Sequence, residues 1–357
     1  MSAASTDESA PPKPSIHKPV KPFVRRVLPD GSQSIRRSVQ LAFLVLNVWI
    51  AAQFYFFVRQ FETNGASTVS RPAGVEGWLP IAGLMNLKYF LATGQVPLIH
   101  PAAMVLIASF LVGSLLFRKS FCGWLCPVGT ISEYLWKLGR HTFRKNFLLP
   151  RWLDVGMRSL KYILLALFVY AVASMPAQAL AEFLQSPYGI VADVKMLNFF
   201  PFMGVTAAIV LAALALASVF VQNFWCRYLC PYGALTGLAS LLSPLRIRRD
   251  AVKCIDCAKC AKACPSRLPV DVLVQIRSAE CLGCMECIAV CPAEGALAMT
   301  LTPTRRVVPA WAIGAGAAGI FLAFVLVAKL TGHWDSPITD QAYRELIPHA
   351  REFTHPR

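Results

Sequence analysis

Eight cysteines between residues 254 and 291 have the types and spacing of metal ligands. The run CIDCAKCAKACP supplies Cys254, Cys257, Cys260 and Cys264, then Pro265; the run CLGCMECIAVCP supplies Cys281, Cys284, Cys287 and Cys291, then Pro292. Both read C-x2-C-x2-C-x3-C-P, and the second repeats the first 27 residues later. Three thiolates in a tight loop can grip three corners of a cubane, while the fourth, one helical turn on, points toward a second cluster. The spacing therefore predicts two [4Fe–4S] clusters, one on Cys254, Cys257, Cys260 and Cys291, the other on Cys281, Cys284, Cys287 and Cys264. A pair of zinc sites is the alternative, because zinc also takes four thiolates. Two matched motifs that each close in Cys-Pro favour clusters.

The other four cysteines form a second pattern. FCGWLCPVG holds Cys122 and Cys126, and WCRYLCPYG holds Cys226 and Cys230, at an offset of 104 residues. Cysteines at i and i+4 share one face of a helix. Two such pairs at one depth could together offer four thiolates to an additional metal centre. A thiol–disulfide relay and plain packing as small hydrophobes are the other readings. All twelve cysteines fall within these motifs, and metal-ligand spacing argues for a reducing compartment.

Five apolar runs must position these motifs: about Ser38 to Val58, Pro97 to Phe117, Tyr162 to Ala181, Phe202 to Phe224 and Val307 to Leu330. Each is long enough to cross a bilayer as a helix. The chain is 56% hydrophobic and 15% charged, well below the roughly 25% charge of soluble domains. Its net charge of +16 follows topology and not nucleic-acid binding. Seven Lys and Arg precede the first run, nine lie between the second and third, and eleven between the fourth and fifth, against three and one in the other two connections. This bias predicts a cytoplasmic N-terminus, a periplasmic C-terminus and every cysteine on the cytoplasmic side. No cleavable signal peptide is expected. Basic tails and loops should meet anionic lipid headgroups.

Each C-x3-C-P motif follows a run directed inward, so the membrane part reads as an internal duplication of two spans plus a motif. The expected organisation is a disordered basic tail at 1–37, a four-helix membrane domain at 38–250, a two-cluster domain at 251–302, and a fifth helix with an outer tail at 303–357. The fold class is an all-α membrane domain of five transmembrane helices joined to a small α+β domain. Residues 71–96, interrupted by Pro and Gly, predict a short helix lying at the outer interface with Trp78 as anchor. Ala315 and Gly319, four apart in the fifth run, predict a close helix approach.

A quinol site needs an apolar pocket and a group that can take a proton. Glu76, Lys88, His100, Glu182, Asp193 and Lys195 lie near the outer ends of the runs, and a lone histidine such as His100 is more often an interface residue. No paired histidines lie inside the runs, which excludes bis-histidine haem, and Gly314, Gly316 and Gly319 sit in an apolar run with no preceding strand, which excludes a dinucleotide fingerprint.

Together the motifs resemble a family of membrane polyferredoxins that includes NapH, the C-terminal half of NosR, MauN and CcoG. Members pair C-x3-C-P motifs at helix ends with a C-terminal two-cluster ferredoxin segment. The resemblance covers most of the chain, through KSFCGWLCPVGT at 119–130, WCRYLCPYGAL at 225–235 and CIDCAKCAKACPSRLPVD at 254–271. It implies a bacterial inner-membrane electron carrier that passes electrons between the quinone pool and a redox partner protein, with quinol dehydrogenase activity if quinol is the donor. Its CcoG-like members imply an alternative, an accessory protein for metal reduction or enzyme assembly. The chain departs from NapH in having a fifth run and an outer tail.

Overall fold

Proline and glycine set the element boundaries in the computed structural model, which describes residues 23–27, 30–63, 65, 68–144, 146–147 and 149–355. The expected tail residues Lys13, His17, Lys18 and Lys21 lie outside the described residues. Its remaining part is more ordered than expected. Arg26 N donates to Pro292 O and Glu294 N to Val24 O, so residues 24–26 line the edge of the cysteine-rich segment. Helix α1 (Ser32–Glu62) then begins before residue 37.

The chain continues through α2 (Pro80–Thr93), α3 (Pro101–Phe117), α4 (Pro127–Phe143), α5 (Arg151–Ser174), α6 (Ala177–Gln185), α7 (Pro187–Ile190), α8 (Ala192–Asn198), α9 (Val205–Phe220) and α10 (Pro231–Ala239). After these come β1 (Leu245–Arg249), α11 (Lys259–Ala263), α12 (Glu286–Ala289), β2 (Leu297–Leu301), α13 (Ala310–Leu330) and α14 (Asp340–Leu346). Among the described residues three helices, α1, α5 and α13, are long and apolar enough to cross a membrane. Two expected spans are shorter apolar helices, α3 with 17 residues and α9 with 16. The third expected span stops early, because Pro176 ends α5 and sets α6 off as a separate element.

Residues 71–96 do contain a short helix, and it packs against α3. A 3-10 turn (Ala73–Trp78) leads into α2, whose Gly83 meets α3 so closely that a Cβ there would stand 2.7 Å from Ala103 O. Buried Asn86 donates to Ile99 O and His100 O at 2.9 and 2.8 Å. In α13 the close approaches fall on other residues than expected. A Cβ at Gly316 would lie 2.2 Å from the Phe117 ring and one at Gly314 would lie 3.0 Å from Trp124, whereas nothing comes within 4 Å of Gly319.

The small sheet is antiparallel, with Ile247 opposite Met299, and it reaches back to Leu245, ahead of the expected boundary at 251. Leu245, Ile247, Leu297 and Met299 share one core with Cys260, Cys264, Cys281, Cys287 and Trp124. The cysteine-rich segment is thus packed on the end of the helices.

The α4–α9 crossing gives a test. A Cβ at Gly139 would stand 2.0 Å from Val219 O, while Gly156 in α5 has nothing within 4 Å. Gly139→Ala should destabilise the protein by about 1–3 kcal/mol, and Gly156→Ala should stabilise it by about 0.5–1 kcal/mol. Thermal unfolding of both variants in one detergent checks the pair.

Candidate functional site

The two C-x2-C-x2-C-x3-C-P loops each fold as a turn with a left-handed residue, Ala258 or Met285, ahead of a single helical turn. Each fourth cysteine follows that helical turn and leaves its own loop. Cys264, Cys281, Cys284 and Cys287 line one cavity, with Ile247, Leu268, Val270 and Ile276 around them. Cys254, Cys257, Cys260 and Cys291 line another, beside Arg249 and Asp271. Each cavity thus takes three cysteines from one loop and the fourth from the other. A four-iron cubane needs a wider cage of thiols than one zinc ion, and cavities that are each lined by four cysteines fit it.

Cys264, Cys281 and Cys287 are buried and Cys284 is half-buried; in the other set Cys260 is buried, Cys254 and Cys291 are half-buried and Cys257 is exposed. Burial pushes the Cys260 thiol up to about 11, with Asp271 and the neighbouring thiols adding to the shift against the pull of the Ala261 N–H.

The membrane cysteines do not share a helix face as expected. Cys122 lies in a π-helical turn (Phe121–Leu125), and Cys126 is the extended residue that caps α4. Cys226 and Cys230 repeat this arrangement through the π-helical turn Trp225–Leu229 and α10. Cys126 Sγ accepts from Gly129 N at 3.5 Å, and Cys230 Sγ from Gly233 N at 3.3 Å. The Pro after each cysteine occupies the first helical position, where its missing N–H costs nothing, and the Gly leaves its N–H free to cap.

Spacing gave no sign of Thr236 Oγ1, 3.3 Å from Cys122 Sγ. Nor did it point to Tyr232, whose ring stacks edge-on against Phe110 and Phe121, or to buried Lys119. Burial, reinforced by Cys122, pushes the Cys126 thiol up to about 12, and burial raises Cys226 and Cys230 as well. A bound metal would take these cysteines as thiolates.

Ion pairs tie the two parts together. Arg36 makes a bidentate pair with Glu133 at 2.7 and 2.6 Å and reaches Glu286 at 3.0 Å. Glu133 is held at about 2: burial opposes its charge, but Arg36 and then Lys137 overcome the penalty. Lys161 pairs with Glu280 at 2.5 Å, and Asp154 receives Arg227, Arg158 and the Tyr228 hydroxyl.

Of the six candidates for a proton-taking group, three come together at the end of the bundle away from the cysteines. Glu76, His100 and Asp193 are buried around Arg71, which donates to Glu76 at 2.8 Å and to Asp193 at 2.6 Å. The other three lie apart. Lys88 caps the carbonyls of Val172, Ala173 and Met175 at the end of α5, Lys195 donates to Ala350 O and Phe353 O, and exposed Glu182 accepts from Gln178. Sequence reading counted Arg71 only as a topology charge; Glu76 five residues on was the available signal. His100 Nε2 must donate to Gly189 O at 2.9 Å, which leaves Nδ1 between Glu76 Oε1 and Arg71 Nη2. One arginine against two carboxylates leaves a buried charge of −1, which an imidazolium cancels.

Matches to known proteins follow the same layout. The family described as "4Fe-4S binding domain" matches residues 99–146 and 203–249, and "4Fe-4S dicluster domain" matches 246–292. These domains define an iron–sulfur electron-transport protein of the membrane. The chain is 50% identical over 326 residues to the YccM protein of Escherichia coli, provisionally named for electron transport, covering 90% of this chain and 91% of that one. It is 26% identical to the ferredoxin-type protein NapH of the same organism, over 51% of this chain and 59% of NapH. With the regulatory protein NosR of Pseudomonas aeruginosa it shares 30% identity, over 53% of this chain and 26% of NosR. No solved structure matches. The chain belongs to the membrane polyferredoxin family, alongside YccM.

The Arg71 cluster carries a pH prediction. Burial opposes charge on His100, but Glu76, then Asp193, raise its pKa above the ordinary value against the push of Arg71. Burial also opposes charge on Glu76, but Arg71 and His100 hold it below its ordinary value. The His100 contribution is therefore full below its unfolded value of about 6.5 and lost as pH rises through the higher folded value. The Glu76 contribution is full above about 4.3 and lost as pH falls through the lower folded value. Tyr343 of α14 also faces this cluster, and its own ionisation is pushed further up, first by burial. The thermal midpoint should decline above about pH 6.5 in the wild type, and His100→Gln should flatten that limb and leave the acid limb in place.

Proposed function

We propose that this protein passes electrons between the membrane quinone pool and a redox partner protein through two [4Fe–4S] clusters. The observation that carries this reading is the pair of cavities, each lined by three cysteines of one loop and the fourth of the other. Cys254, Cys257, Cys260 and Cys291 would hold one cluster, and Cys281, Cys284, Cys287 and Cys264 the other. When bound, such clusters supply one-electron transfer. The chain's own residues hold the thiols in place and exclude water, most fully at the cavity walled by Ile247, Leu268, Val270 and Ile276.

In this reading α1, α3, α5, α9 and α13 are five spans, with the N-terminus and all cysteines cytoplasmic and α14 periplasmic. The basic connections support that orientation. Duplication is supported by one domain description that matches twice and by two π-turn and cysteine-cap units of the same geometry. The same match supports Cys122, Cys126, Cys226 and Cys230 as ligands of a third centre.

Anaerobically prepared protein should then carry more than the roughly eight iron atoms of two cubanes, and Cys122→Ser should lower the count. Iron that stays near eight in both proteins rules out the third centre. Mixing oxidised protein with menaquinol should produce the EPR signals of reduced clusters, and a quinone-site inhibitor should abolish them. No electron exchange in either direction would put metal reduction or enzyme assembly in place of the quinone reading.

A further inference from the structure

We propose that Gly123 and Trp124 are positioning residues that seat the Cys264/Cys281/Cys284/Cys287 site on the membrane cysteines, leaving the Cys254/Cys257/Cys260/Cys291 site as the one open to solvent. The inference rests on the reading of the eight cysteines as cluster ligands and adds an order to the sites.

The contact is backbone against backbone. A Cβ at Gly123 would lie 2.5 Å from Leu282 O, so only glycine lets these two chains meet at their present distance. Gly123 follows Cys122, and Leu282 follows Cys281. The next residue on each side makes the next contact: Trp124 Nε1 donates to Gly283 O at 3.1 Å, and Cys284 follows Gly283. Trp124 is wholly buried, and its ring is wedged against Gly314 of α13. Without the indole N–H, the Gly283 carbonyl would lose its partner in a dry contact. Leu or Phe, both smaller, would leave part of the space empty and could not make that bond.

Neighbouring groups lock the seam from both sides. Gly123 O accepts from Arg36 Nη1 and Gln40 Nε2, each at 3.2 Å, and Gln33 Nε2 donates to Cys284 O at 2.9 Å. The second membrane motif grips the same site elsewhere, since Arg227 between Cys226 and Cys230 donates to Pro265 O at 3.1 Å, next to Cys264. Both membrane motifs therefore hold one of the two cysteine cavities. The other cavity is where Cys257 is exposed. Electron tunnelling weakens steeply with distance, so the site fixed to the membrane cysteines and the site open to solvent have different neighbours to serve.

The test uses the full-length protein with its iron–sulfur centres, and an EPR-monitored redox titration. Cys284→Ser and Cys257→Ser assign the signals of the seated and the solvent-facing site. Trp124→Phe keeps an aromatic side chain but removes the N–H and part of the indole's volume; Gly123→Ala forces the Leu282 backbone away and serves as the second variant if the first is poorly produced. The expected result is a shifted potential or altered line shape for the seated site, or selective loss of its iron, with the solvent-facing signal unchanged. No shift in either signal, equal shifts in both, or equal loss of iron from both would overturn the inference. Wild-type protein without two cluster signals would overturn the ligand reading itself, and this inference with it.

Discussion

The exchange of Cys264 and Cys291 between the two loops is the constraint on which the cysteine-rich segment depends. A four-thiol cavity built from one loop alone could be placed anywhere on the surface. Two cavities that each borrow a cysteine from the other loop cannot move independently. The β1–β2 ladder closes this unit behind the cysteines, and Leu245, Ile247, Leu297 and Met299 fill the space between sheet and thiols. A rigid frame of this kind suits thiols that must stay in place while charge is added and removed.

The same demand explains the buried charges at both ends of the helices. An uncompensated charge in a dry interior is expensive, and removing one partner of a buried pair commonly costs 3–5 kcal/mol. At the cysteine end Arg36, Glu133, Lys137 and Glu286 form one network that joins α1, α4 and α12. At the other end Arg71, Glu76, His100 and Asp193 join the 71–78 segment, the start of α3 and α8. Each network fixes the angle at which distant parts of the chain meet. The His100 cluster is enclosed, and both of its buried carboxylates pair with Arg71, so it clamps these elements together.

The repeated C-x3-C-P motif shows how one local solution serves two places. Cysteine caps a helix through its sulfur, proline starts it and glycine offers the N–H. The residues between the cysteines differ and do different work. In the first copy Gly123 and Trp124 meet the 281–284 loop, and in the second Arg227 reaches Pro265.

The sequence alone determined that iron–sulfur chemistry was in play and where apolar helices lie. Those are consequences of short-range spacing and composition, which a linear chain states directly. It misread the length of the third span because Pro176 breaks an apolar run that composition treats as continuous. It took Cys122 and Cys126 for one helix face because i and i+4 spacing does not reveal a π-turn followed by a cap. Only the tertiary structure decided that Glu76, His100 and Asp193 surround Arg71, from α3, α8 and the segment before α2, and that Lys88, Glu182 and Lys195 do not. Only it decided which cysteine cavity lies against the membrane motifs. Both outcomes depend on contacts between residues about a hundred or more apart in sequence, such as Arg71 with Asp193 and Trp124 with Gly283, and such pairings are set by how helices pack, which no local pattern encodes.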